Sequence, residues 1–243
     1  MSPDRSLSET IEWMNEGTVW FQGHVQQLSD LDLAKESRLP GWTRAHLVAH
    51  VAQNADALGR LLSWASSGIE TPMYATSEQR SQEIEVGALA PPADLRKDLG
   101  ESAQRLARAV IGLPQIAWSS EVRSALGRII PASEVPWLRT REVWLHTVDL
   151  DSGARLAEIP EAVVLALIED ITHTFSNREG IPPMQLRVWR LPGGSVIDPR
   201  YSIGESGPEI SGVGPDLLGW LSGRSSGETL HSSGGVPTLP PWL

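Results

Sequence analysis

The chain has 243 residues, 40% of them hydrophobic, a formal charge of −10 and no cysteine. That length holds one large or two small domains with a sizeable core, and the acid excess argues against nucleic acid as a partner. The missing cysteines exclude disulfides, thiolate metal sites and a protein cysteine nucleophile, so any thiol chemistry takes its sulfur from a small molecule.

No run reaches the roughly 18 apolar residues of a membrane span. Met1-Ser2-Pro3-Asp4-Arg5-Ser6 lacks a basic head followed by an apolar block, so no signal peptide and a cytoplasmic location are expected. From Ser6 to Leu31, apolar residues at Leu7, Ile11, Met14, Phe21, Val25 and Leu28 repeat with a helical period. Pro40-Gly41 breaks the pattern. Thr43 then reads as the N-cap of a second helix running to about Ala65. Its inward stripe is Leu47, His50, Asn54, Leu58, Leu61 and Leu62, which places a histidine among leucines. A loop from Gly68 to Thr76 precedes a short polar helix, Ser77 to Val86, that includes Arg80. Pro91-Pro92 opens a helix to about Leu113, with Leu95, Leu99, Leu106 and Val110 facing in. Val122 to Ile130, broken at Gly127, reads as a hairpin.

Ser133 reads as the cap of the next helix, which tolerates Pro136 in its first turn and continues to about Asp151. Pro160 starts a further helix to about Thr174. After Gly180, proline and glycine become frequent. Strand-like pieces follow at Gln185–Leu191, Ser195–Ile197, Tyr201–Ile203 and Glu209–Ser211, with one short helix at Leu217–Leu221. The tail from Gly234 has no period and reads as an extended arm. The expected class is α+β: a helical bundle over residues 1–178, then a small α/β domain over 179–243.

The chemistry centres on Arg141-Glu142-Val143-Trp144-Leu145-His146. Glu142 and His146 stand one turn apart on one face of a helix. Their apolar neighbours imply burial, and a buried glutamate is costly unless paired, protonated or metal-bound. If the Thr43 helix packs alongside, His50 completes a two-histidine, one-carboxylate site with an open position, as in catalytic zinc centres. His46 competes with His50, being one turn away. Asp149 competes with Glu142, and otherwise orients an imidazole from behind. Arg224, in the turn Gly223-Arg224-Ser225-Ser226-Gly227, reads as a bidentate grip on a carboxylate or as a solvated surface arginine. The 10 tryptophans against 2 tyrosines are unusual. Trp42, Trp137 and Trp144 are expected in the core, one of them available to wall the site.

At these residues the chain resembles the mycothiol-dependent maleylpyruvate isomerases, within the DinB-like metal-binding four-helix bundles. The similarity is carried by Gly41-Trp42-Thr43-Arg44, His46-Leu47, Ala49-His50-Val51-Ala52, Thr71-Pro72-Met73-Tyr74, Pro131-Ala132-Ser133-Glu134, Arg141-Glu142-Val143-Trp144 with His146, Val148-Asp149-Leu150, and the closing Pro240-Pro241-Trp242-Leu243. The resemblance implies a DinB-like N-terminal bundle, zinc held by His50, Glu142 and His146, and mycothiol as the thiol. It also implies a small dicarboxylate substrate and active-site roles for Arg224 and Arg80. The implied reaction is the conversion of maleylpyruvate to fumarylpyruvate by reversible thiolate addition, a step in aromatic catabolism. Two other readings keep the same bundle. One is a thiol-dependent zinc S-transferase or conjugate hydrolase. The other is a non-catalytic zinc-binding regulator, whose mark is a closed four-ligand site.

Overall fold

A computed structural model describes residues 5–190 and 198–242. Helix α1 (Leu7–Gln27) starts at a capping box, in which Ser6 and Glu9 satisfy each other's backbone N–H groups. Its buried positions Thr10, Met14, Gly17, Phe21 and Val25 form one stripe. The chain breaks at Leu28 and makes the short helix α2 (Asp30–Leu33), capped by Ser29 with Asp32. One helix was expected to run through Leu31, but this second cap interrupts it.

Helix α3 (Arg44–Ser67) is capped by Thr43 and ends at Gly68, whose φ of 71° is open to glycine without penalty. Most of it from Ala45 to Leu58 is buried, because it packs against α4 (Ser77–Ala88), α5 (Pro92–Gly112) and α6 (Val135–Asp149). Helix α4 buries only Ile84 and lies on α3. Helix α5 begins at Pro92 and turns Leu95, Leu99, Ser102, Leu106 and Val110 inward. The hairpin of β1 (Glu121–Arg123) and β2 (Ile129–Pro131) pairs Val122 with Ile130 around a turn containing Gly127.

Ser133 does not cap α6. It sits in a 3-10 turn (Ala132–Glu134) that leads into the helix, and Glu134 takes the cap position without a side-chain bond. Pro136 falls in the first turn as expected, where its missing N–H costs nothing. Helix α1 packs along α6 and α3 along α5, and the α3/α6 and α1/α5 faces close a four-helix bundle.

The described chain divides into two compact units, 5–154 and 155–242. The division precedes α7 (Glu161–Ser176), because α7 packs on α8 (Gly214–Leu221) and β4 (Arg200–Ile203) of the second unit. The expected boundary near residue 178 falls after this helix. The second unit holds a four-stranded sheet in the order β4, β3 (Met184–Arg190), β5 (Glu209–Val213), β6 (His231–Ser232). β3 and β5 run parallel and the other pairs antiparallel. Three of the four expected strands are there; Ser195–Ile197 lies outside the described residues. The tail is an extended arm pinned from within its own unit: Trp220 Nε1 donates to the Pro237 carbonyl at 3.0 Å, and Arg178 Nη1 to that of Pro241 at 2.6 Å. Among the described residues, no helix is long and apolar enough to cross a membrane.

Candidate metal centre

Three side chains from two helices meet inside the N-terminal unit. His50 comes from the buried face of α3, and Glu142 and His146 come from successive turns of α6. Glu142 Oε2 lies 2.9 Å from His50 Nε2 and 3.1 Å from His146 Nε2. The two imidazole rings are 5.1 Å apart and nearly perpendicular, so their nitrogens converge. All three candidate ligand atoms fall within 4.8 Å of one another.

These separations suit a metal. Ligands at about 2.0–2.1 Å from a tetrahedral zinc stand about 3.3 Å from each other. The donor set, two imidazoles and a carboxylate, is the chemistry zinc takes in open sites. His50 is almost fully buried at 5% exposure, whereas Glu142 keeps 21% and His146 16%. Glu142 and His146 are therefore the members of the group that solvent partly reaches.

The neighbours assign the protons. Asp149 Oδ2 sits 2.9 Å from His146 Nδ1, and a carboxylate only accepts, so Nδ1 carries hydrogen and Nε2 faces the centre. Asp149 is thus the orienting acid behind the imidazole. Arg80 Nη2 lies 3.3 Å from His50 Nδ1. A guanidinium only donates, so with Arg80 in this place Nδ1 is the acceptor and Nε2–H points at Glu142. Arg80 also lies 5.7 Å from the ring centre of Tyr74, which the loop before α4 brings alongside.

Burial pulls the His146 imidazole down, but its bonds with Asp149 and Glu142 outweigh that and its pKa is raised. At His50 burial prevails over the attraction of Glu142, and the pKa is lowered. Burial pushes Glu142 upward, yet hydrogen bonds from His146 and His50 hold it well below the usual carboxylate range. The centre therefore keeps an ionised acid between two imidazoles.

His46 is drawn elsewhere. Its Nδ1 is 2.7 Å from the Thr43 hydroxyl, and its Nε2 is 3.2 Å from Glu85. Both nitrogens serve α3's cap and α4, which leaves His50 as the histidine of α3 at the centre. Trp42 walls the site, its ring 5.4 Å from that of His50. Trp144 and Trp137 instead pack toward α1, Trp144 donating from Nε1 to the Trp13 carbonyl at 2.9 Å and Trp137 meeting the Trp13 ring edge-on.

The N-terminal domain profile of the mycothiol maleylpyruvate isomerases matches residues 16–151. The crystal structure of the mycothiol-dependent maleylpyruvate isomerase aligns with a TM-score of 0.88 at 36% identity, covering 98% of each chain. The chain belongs to the mycothiol maleylpyruvate isomerase family. A histidine-to-alanine mutant of that enzyme aligns with the same values, a TM-score of 0.88 and 36% identity over 98% of each chain. YfiT from Bacillus subtilis, a probable metal-dependent hydrolase with a four-helix bundle, aligns at a TM-score of 0.51 over 62% of this chain and 90% of its own. At 18% identity that likeness establishes the bundle fold alone. No curated protein matches the chain.

The family profile ends within four residues of the division between the two units, so it describes the bundle. Arg224 belongs to the second unit. It follows α8 after Gly223, its backbone N–H donates to the Gly219 carbonyl at 2.7 Å, and its Nη1 donates to that of Ser222 at 3.1 Å. Sequence reasoning did not mark Arg139 on α6, which is buried one turn before Glu142. Its i, i+3 offset from Glu142 was the available signal.

Proposed function

We propose that the protein is a zinc- and mycothiol-dependent cis–trans isomerase that converts maleylpyruvate to fumarylpyruvate. The observation that carries this reading is the convergence of His50, Glu142 and His146, the last two partly exposed. The family, together with a relative whose alignment spans nearly the whole chain, supports the choice of reaction.

His50, Glu142 and His146 would hold the zinc. When bound, zinc supplies a Lewis-acidic position that favours a thiol as thiolate near neutral pH. Mycothiol, when bound, would supply a nucleophile able to add reversibly to a conjugated double bond and so permit rotation about it.

The residues of the chain prepare this chemistry. Asp149 fixes the His146 tautomer with Nε2 free to ligate. Arg80 keeps the opposite tautomer at His50 while it donates to Nδ1. Presenting the Nε2 lone pair moves the imidazole proton to Nδ1 and turns Arg80 away. Its guanidinium is then released for a substrate carboxylate. Arg224 takes the second carboxylate role and stabilises the enolate that develops on addition. The substrate is thus a small dicarboxylate and the second partner a low-molecular-weight thiol. Trp42 and the buried wall of α3 exclude water from the His50 side.

Metal content and maleylpyruvate turnover of the purified protein, with mycothiol supplied or withheld, test the reading. Turnover that requires both zinc and thiol, with the thiol regenerated, is expected. Turnover without thiol, or a product that keeps the sulfur, overturns it; the latter makes the protein an S-transferase. His50→Ala is expected to abolish metal binding and turnover together.

A further inference from the structure

A second feature of the bundle is the loop, residues 68–76, that joins α3 to α4. Met73, in its second half, is buried at 6% exposure, and Tyr74 packs against the same core cluster. Arg60, on α3, fastens this point of the loop. Its Nε donates to the Met73 carbonyl at 3.0 Å, and its Nη2 donates to the same oxygen. A charged donor grips a carbonyl more firmly than a neutral one does. One guanidinium edge thereby ties the loop to the helix that carries His50.

The Tyr74 ring has two guanidiniums beside it. The central carbon of Arg60 is 5.9 Å from the ring centre and that of Arg80 is 5.7 Å. Both fall within the reach of attraction between a cation and an aromatic face, about 6 Å. Burial raises the Tyr74 pKa against the pull of the Arg80 charge, so the ring stays uncharged at neutral pH. Helix α4 by itself fixes little of Arg80, since it buries only Ile84. Among the described residues Arg80 forms no ion pair with a carboxylate; its side chain meets His50 Nδ1 at 3.3 Å and the tyrosine. A cation left without an acid beside the metal ligands is suited to an anion arriving from solution.

We propose, on the reading that Arg80 takes a substrate carboxylate, that Tyr74 is a positioning residue: seated by Arg60, its ring keeps the Arg80 guanidinium beside the metal ligands. In the metal-free protein His50 Nδ1 also holds Arg80. Once Nδ1 carries the imidazole proton it no longer accepts, and that bond is lost. An arginine released in this way has much rotamer freedom to lose again on gripping an anion. The ring contact survives the change, because it needs an aromatic face and no lone pair. Tyr74 thus confines the guanidinium in the state in which the substrate arrives.

Maleate, a small cis-dicarboxylate, is the probe, titrated calorimetrically into the zinc-loaded, full-length protein. Arg80→Met should raise its Kd about tenfold or more, as for the loss of a hydrogen bond between charged groups. Tyr74→Leu should raise it about fivefold, as for a partly buried contact between a cation and a ring. The double variant should bind no more weakly than Arg80→Met alone, because Tyr74 acts only through Arg80. Tyr74→Phe keeps the ring and should bind better than Tyr74→Leu. Where Tyr74→Leu does not fold, Arg60→Gln decides. It removes the grip on the Met73 carbonyl from a partly exposed position, so weaker maleate binding there supports the proposal and parent-like binding overturns it. Parent-like binding in Tyr74→Leu, additive losses in the double variant, or no gain from Tyr74→Phe overturn the proposal while leaving Arg80 its carboxylate. Parent-like binding in Arg80→Met removes the carboxylate from Arg80, and the proposal falls with its premise. Missing turnover in a parent that binds maleate strikes the isomerase reading, and the binding comparison still decides the role of Tyr74.

Discussion

Asp149 decides more at the metal centre than its distance from the convergence point suggests. It is fully buried and holds His146 Nδ1 at 2.9 Å. Removing such an orienting partner typically costs 10–100-fold in metal affinity. Asp149→Asn is therefore expected to weaken zinc binding by roughly that factor at pH 8, as read by competition with a chelator, while the fold is kept. The same contact sets a pH dependence. A ligating imidazole must shed the proton on Nε2 while Nδ1–H stays bonded to Asp149, and the His146 pKa is raised above 6.5. In the metal-free protein that proton contributes stability that is complete below 6.5 and fades as pH rises through the raised value. Metal binding has the opposite sense, because the cation competes with the proton. Zinc affinity should begin to fall while pH is still above 6.5, and in Asp149→Asn the fall should begin at lower pH. A titration of zinc affinity between pH 6 and pH 8.5 checks both; an unchanged profile in the variant removes Asp149 from its role.

The elements show which signals a sequence carries plainly. Helix α3 was legible end to end, since a Thr cap, a regular apolar stripe and a terminal glycine agree. Glu142 and His146 were legible because their spacing places them on one face whatever the rest of the fold does. Between His46 and His50 the deeper place in the apolar stripe favours His50 from sequence, and Glu85 on α4, which the sequence does not place, draws His46 away. Ser133 carried a cap's chemistry, but a 3-10 turn took its position. Strand β6, two residues long, has no period to read. Gly17 was silent as well. It lies in the middle of α1, where glycine costs about 1 kcal/mol relative to alanine. A Cβ there would meet Val143 at 2.6 Å and Trp144 at 2.7 Å. The missing side chain is what lets α1 close on α6 directly behind Glu142. Gly17→Ala gains about 1 kcal/mol in propensity but overpacks by more. A net loss of about 1–2 kcal/mol is expected in urea unfolding, with weaker zinc binding as α6 shifts. Gly23→Ala on the exposed side of the same helix meets nothing and should gain about 0.5–1 kcal/mol. Equal effects at both positions would show that the α1/α6 approach is not limiting.

At the scale of the molecule, the two units divide the proposed work. Every candidate metal ligand, with Asp149, Arg80 and Trp42, lies within residues 5–154. Arg224 lies in the other unit and takes no part in the ligand set. Two measurements on one variant therefore separate. Zinc binds the folded bundle, so it should raise the unfolding temperature in proportion to its affinity. Arg224→Ala should leave that rise intact, because no ligand and no orienting group has changed. Turnover should behave differently. In the proposed reaction Arg224 meets substrate charge that grows on thiolate addition, and losing a donor of that kind costs about 10²–10³-fold in rate. The chain's charge of −10 sharpens the expectation, since an anionic substrate approaching it depends on the few local cations. Zinc-dependent thermal shift and kcat/KM on the same Arg224→Ala preparation distinguish the cases. A full shift with turnover reduced by that factor assigns Arg224 to the substrate. A full shift with undiminished turnover removes it from the reaction and leaves the dicarboxylate to Arg80.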